Sequence, residues 1–347
     1  MRSACELAHA GSWIGLDLNP AALLRDAGGR PTGHQSGLPG TIGTAMLGQL
    51  PAVFLDVVAP VFAIVALGWA LGPRLALEAR TVSRAAYYLF VPAFTFDVIA
   101  RSDVPLGSAA RMVAFAVVAH AAFALLGFAV ARALRRTPEV TAAYVMLAVF
   151  GNVGNFGLAL VQFRFGPGAL APATIYYIAI LVTSFVVCVG AAAWVRGGGL
   201  SAITSVLRTP ALWVVPPAML VAGDVVALPL SVSRSVGLLG SAMIPAMLLA
   251  LGLQLAEAGR LRVTPDVFAV TGLRLVAAPL LAAAIVGPFG LGEVERATGV
   301  LQAGTPAAIL VAIIAVEHGI APSFVTTAVI FTTLCSLPTL TVLLALV

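Results

Sequence analysis

The sequence has no lysine; all 19 of its basic residues are arginines. Charge of either sign is scarce, at 10% of 347 residues, and there are four histidines and three cysteines. Each shortage excludes something. Cys5, Cys188 and Cys335 lie far apart, two of them in apolar runs, so neither a disulfide framework nor a metal site is expected. His120 is the one histidine inside an apolar run, and no HExxH or GxSxG pattern occurs, which leaves an intramembrane enzyme without its chemistry. A net charge of +5 and a pI near 9.6 would suit a nucleic-acid binder, but the arginines fall mostly singly between apolar runs, as in membrane topology. No nucleic-acid partner and no cofactor is expected.

Hydrophobic residues, by contrast, make up 61% of the chain, with a mean hydropathy of +1.06. Soluble domains stay near roughly 45–50%. Apolar runs long enough to cross a bilayer recur from Pro51 onward, so the chain reads as an all-α polytopic membrane protein. Ten segments are expected, at approximately 51–71, 85–100, 109–131, 139–163, 171–195, 209–227, 232–256, 265–287, 294–316 and 321–346. Residues 1–45, polar and rich in glycine and proline, are expected to be a disordered tail, or an over-extended start with Met46 as the true one. With the start of the first span outside, the cytoplasmic loops hold ten arginines and the external loops five, which predicts both termini outside.

Two spans carry helix breakers at membrane depth. In the fourth, the run Phe150-Gly151-Asn152-Val153-Gly154-Asn155-Phe156-Gly157 contains three glycines, each costing roughly 1 kcal/mol in a helix relative to alanine. In the ninth, Gln302-Ala303-Gly304-Thr305-Pro306-Ala307 contains a proline that cannot donate to the helix. Unwound backbone in a bilayer is tolerated only where it faces a cavity or protein. An offset of 150 residues relates Gly154 to Gly304, and Val82-Ser83-Arg84 to Val232-Ser233-Arg234. Paired breaks in two halves predict two inverted five-helix repeats, 46–200 and 201–347, with broken helices 4 and 9 crossing at a binding site. The second half-helices, starting near Leu158 and Ala307, would aim free N–H groups at the midplane and favour an anion.

Candidate substrate-binding residues are therefore Asn152, Gly154, Asn155, Gln302, Gly304, Thr305 and Pro306, with Arg274 as a counter-ion or a side chain snorkelling to the interface. Asp56 and Asp97 read as solvated span ends, His120 as a packing residue, and Tyr176-Tyr177 as an interfacial anchor.

At these residues the chain resembles the auxin efflux carrier family in its bacterial branch. The resemblance rests on Gly151-Asn152-Val153-Gly154 with Gly157-Leu158, on Ala303-Gly304-Thr305-Pro306-Ala307, and on Ser241 to Gly252. It extends to Leu273-Arg274-Leu275 with Pro279 and to Thr333-Leu334-Cys335-Ser336-Leu337-Pro338. It implies ten spans in two inverted repeats and carriage of organic anions, such as dicarboxylates or auxin. The family commonly has a proline just after the fourth-span glycines, where this chain has Leu158-Ala159-Leu160, so here the break rests on glycine alone. A bile-acid/sodium symporter-like carrier and a channel or receptor are the competing readings. Expected partners are a small organic anion, the lipid bilayer of the cytoplasmic membrane, a coupling ion (H+ or Na+) and a second copy in a homodimer.

Overall fold

The computed structural model describes residues 50–196, 210–257 and 261–347; the expected tail at 1–45 lies outside them. Among the described residues all regular structure is helical. In chain order the helices are α1 (Leu50–Leu71), α2 (residues 79–100), α3 (Leu106–Ala133), α4 (Pro138–Val149), α5 (residues 153–165), α6 (Pro167–Arg196), α7 (Pro210–Ala222), α8 (Leu230–Ala256), α9 (Pro265–Ile285), α10 (Glu293–Ala303), α11 (Ile309–His318) and α12 (Pro322–Leu346). Six of them (α1, α3, α6, α8, α9 and α12) are long and apolar enough to cross a membrane. The other four expected segments differ. The second is the helical stretch of α2, whose first turns carry Arg80 and Arg84. The fourth and ninth are each two helices with a break, and the sixth is shortened to α7.

Proline explains most of the helix irregularity. Pro60, Pro92 and Pro279 each stand two residues past the end of a five-residue π-helical turn, at Phe54–Val58, Ala86–Phe90 and Leu273–Ala277. A proline ring clashes with the carbonyl four residues earlier, and widening the preceding turn moves that carbonyl aside. Pro338 sits inside α12.

The helices share one hydrophobic core, and their closest approaches use small residues. Gly68 of α1 lies against the backbone of Leu249, and Gly252 of α8 against that of Val65. The element ends gather into two rims. At one rim Ala79 N–H donates to Glu257 at 3.3 Å, Arg136 pairs with Asp266 at 2.8 Å, and Arg196 pairs with Glu139 at 3.2 Å and donates to the Gly319 carbonyl at 2.6 Å. Gly319 closes α11 in the left-handed conformation (φ +66°) that favours glycine. The start of α6, the end of α9 and the start of α10 lie at the other rim, where Phe115 of α3 meets Phe289 edge-on.

Candidate functional site

The two breaks meet. Gly151 and Ala307 form an isolated antiparallel β-bridge, in which Asn152 N–H donates to the Pro306 carbonyl (2.7 Å) and Ala308 N–H to the Phe150 carbonyl (2.8 Å). Each interruption thereby supplies the partners the other has lost, as buried backbone requires. Ala307 N–H finds Thr332 Oγ1 of α12 at 3.2 Å, and the Val149 carbonyl accepts from Ser184 at 3.4 Å.

The breaks are unequal in width. Thr137 caps α4 through Val140 N–H, and the helix runs to Val149. Only Phe150 to Asn152 leave the helical path; a π-helical turn over Val153–Gly157 then restarts it, several residues before the expected Leu158. Glycine permits unwinding but does not impose it, and without a proline nothing prevents a helical return at once. In the second break Pro306 keeps Thr305 from continuing α10, and helix resumes at Ile309, slightly later than the expected Ala307.

Helix ends of opposite character sort to opposite sides of the crossing. Arg274 of α9 is fully buried and does not snorkel. Its Nη1 donates to the Ala148 carbonyl and its Nε to the Thr305 carbonyl, both at 2.8 Å, while Nη2 lies 3.4 Å from Thr305 Oγ1. One guanidinium thus caps the C-terminal, partially negative end of both first half-helices. Gly151 packs against that guanidinium.

The N-terminal ends of α5 and α11 face a cavity of about 520 Å³. Gly154, Asn155, Ile309 and Leu310 line it, and as first-turn residues they present backbone N–H groups that have no acceptor within their own helix. Asn152 lines it too: it is 4% exposed, and its Nδ2 has no partner. Phe150, Tyr177, Ile180, Met247 and Ile313 form apolar walls, and Arg80, Arg84 and Glu257 stand at the rim described above. Neither arginine makes a salt bridge among the described residues.

Of the eight residues expected at the site, Asn152, Gly154 and Asn155 therefore line the cavity. Gln302, Gly304, Thr305, Pro306 and Arg274 build the crossing behind it. Gln302 Nε2 donates to the Ala173 carbonyl at 3.2 Å, Thr305 Oγ1 to the Gln302 carbonyl at 2.7 Å, and Gly304 packs on Leu343 and Pro279. The tyrosine pair is no interfacial anchor: Tyr176 is buried against Phe115 and His120, and the Tyr177 ring packs behind Gly154. Helix α6 begins well before these residues, which places them inside the packed span. Asp56 is exposed and Asp97 pairs with Arg101 at 2.8 Å. Sequence reasoning missed Arg80, Arg84, Gln254 and Glu257. The four-residue spacing of the arginines, one face of a helix, was the available signal.

Among the described residues the protein is all-helical, with six helices long and apolar enough to cross a membrane and two interruptions hydrogen-bonded directly to each other beside a cavity, an arrangement that suits a transporter. Comparison with known families places it. The membrane transport protein family matches this chain over residues 53–203 and 201–344, and the chain belongs to that family, that of the auxin efflux carriers. It is also 26% identical, over 295 residues covering 82% of this chain and 95% of the relative, to an uncharacterized transporter of Methanothermobacter thermautotrophicus.

Proposed function

We propose that this transporter is a secondary carrier that moves a small organic anion by alternating access, and that the anion's charged group sits at the crossing. The observation that carries this reading is the convergence of two helix N-termini and the free Asn152 amide on one cavity. Unpaired N–H groups at the positive ends of two helix dipoles favour an anion without the cost of a buried lysine or arginine in direct contact. Arg274, at the opposite helix ends, fixes the crossing and adds positive charge from behind. The apolar walls fit the carbon body of a carboxylate, and the exposed Arg80 and Arg84 draw anions toward the mouth.

The wider architecture we propose is ten spans in two inverted five-helix repeats, in the cytoplasmic membrane with both termini outside. In its favour are the reciprocal pairing of the two breaks, the two family matches meeting near residue 200, and the arginine bias between loops. On that orientation the cavity mouth faces the cytoplasm.

The test is a thermal-shift series on the full chain in nanodiscs with aryl and aliphatic monocarboxylates, dicarboxylates and the matched uncharged amides. A ligand at 100 times its Kd stabilises by about 2.7 kcal/mol. Carboxylates should shift the melting point and amides should not, and Asn152→Ala should lose the shift while keeping its own ligand-free melting point. Equal shifts by acids and amides would sink the reading.

A further inference from the structure

The rim that carries the Arg136–Asp266 pair also holds a pocket of about 350 Å³, which shares no lining residue with the cavity at the crossing. Arg262, Thr264, Ala321, Pro322, Ser323 and Phe324 line it, so it lies between the non-helical approach to α9 and the first turn of α12. Thr264 is extended (φ −120°, ψ 166°), and the pocket takes alternate residues of this approach. One wall is braced from behind. Phe324 stacks on Tyr144 of α4 with ring centroids 5.9 Å apart, and Asp266 accepts from Tyr144 at 2.5 Å and from Arg136 at 2.8 Å.

The charges of the surrounding elements leave one cation over. Asp266 of α9 is committed to Arg136 and Tyr144, and Glu139 of α4 to Arg196, which also donates to the Gly319 carbonyl. No acidic residue lines the pocket, and Arg262 makes no salt bridge among the described residues. Two hydroxyls line it with Arg262. That of Thr264 does not cap α9, and Ser323 holds Thr327 through its carbonyl rather than its hydroxyl. A guanidinium fork beside hydroxyl donors is a donor set for a phosphate.

The surroundings say where that phosphate comes from. Spans α9 and α12 both start at this pocket. Leu261 and Val263, which alternate with the pocket residues, are exposed. One turn past Thr264, Phe268 is 61% exposed and meets Phe331 of α12 edge-on at 5.1 Å. A cationic pocket at the head of two spans, bordered by exposed apolar surface, matches a phospholipid whose chains run along that surface. With no carboxylate in the lining, the ammonium of a zwitterionic headgroup finds no partner there, so a lipid whose net charge is negative is favoured.

We propose that this pocket binds the phosphate headgroup of an anionic phospholipid, with Arg262 as its charged contact and Thr264 and Ser323 as hydroxyl donors. Helices α9 and α12 also carry Arg274 and Thr332, and α4, behind Phe324, ends at the carbonyls that Arg274 caps. A lipid seated here therefore braces the helices that hold the crossing. The site does not depend on what the carrier moves.

Native mass spectrometry of the full chain, titrated with phosphatidylglycerol and with phosphatidylcholine, reads the site. The parent should retain phosphatidylglycerol in preference. Arg262→Gln should bind it about tenfold more weakly, as loss of a charge-assisted hydrogen bond implies, and Thr264→Val should weaken it less. Arg74→Gln removes the same charge from an exposed residue outside the pocket and should bind like the parent. In nanodiscs, phosphatidylglycerol should raise the parent's melting temperature above its value in phosphatidylcholine alone, and Arg262→Gln should lose that increment. Equal retention of the two lipids by the parent, or equal weakening in Arg262→Gln and Arg74→Gln, overturns the proposal. Glycerol phosphate added to phosphatidylcholine nanodiscs separates the two sources of phosphate. No increment there supports the lipid, whereas the same Arg262-dependent increment assigns the pocket to a soluble phosphate ester and overturns the lipid site.

Discussion

Gly151 lies directly against the guanidinium of Arg274. A methyl group on its α-carbon would overlap Nη2 and stand 2.8 Å from both the guanidinium carbon and Thr305 Oγ1. The first break therefore needs glycine for a packing reason as well as a conformational one. Only a hydrogen atom there lets one arginine reach the ends of two helices that approach from opposite directions.

Gly151→Ala should thus push Arg274 off at least one of its two carbonyls. Overpacking of this kind costs about 1–3 kcal/mol. The expected result is a lowered melting temperature in nanodiscs together with weaker anion binding. A variant that melts and binds like the parent would show that the guanidinium has room to retreat.

Arg274 itself should be irreplaceable by lysine. A compact ammonium on a flexible stem cannot reproduce the planar fork that serves the Ala148 and Thr305 carbonyls together. Arg274→Met leaves both unpaired, at about 1–3 kcal/mol each. Melting temperatures should fall in the order arginine, lysine, methionine. If methionine equals arginine, the cap contributes nothing to stability.

Thr332 offers a controlled comparison within α12. Its hydroxyl is the acceptor for Ala307 N–H, whereas that of Thr341 bonds only to the Leu337 carbonyl of its own helix. Thr332→Val should cost about 1–3 kcal/mol by orphaning a buried amide. Thr341→Val should stay within about 0.5 kcal/mol. Equal thermal shifts for the two variants would contradict this backbone accounting at the crossing.

Arg80 and Arg84 act, on this account, at long range. Replacing both with glutamine should raise the apparent KM for anion transport and flatten its dependence on ionic strength, since screening matters over about 10 Å at 0.1 M salt. Maximal flux and melting temperature should hold. A drop in maximal flux at unchanged KM would place these residues in the conformational step instead.

Much of this was legible along the chain. Hydropathy is a local property, so the membrane class, the six long helices and the family resemblance could be read directly. Pro306 and the glycines around Asn152 marked both interruptions because helix propensity is local too. The restart at Val153 was less legible, since glycine allows either outcome and the surrounding packing selects one. The roles of Gln302 and Thr305 were less legible still, because a polar side chain next to a break can face a cavity or the neighbouring helix.

Hydropathy and helix propensity, read along the chain, are enough to make it helical, membrane-embedded and interrupted twice. How the interruptions are used depends on contacts between helices far apart in the chain. Ala148 and Thr305 belong to opposite halves of the chain, and no periodicity says that a third helix brings one arginine to both. The rotation of each helix about its axis is set by what it packs against. That rotation turned Asn152 toward the cavity and Arg274 toward the two carbonyls.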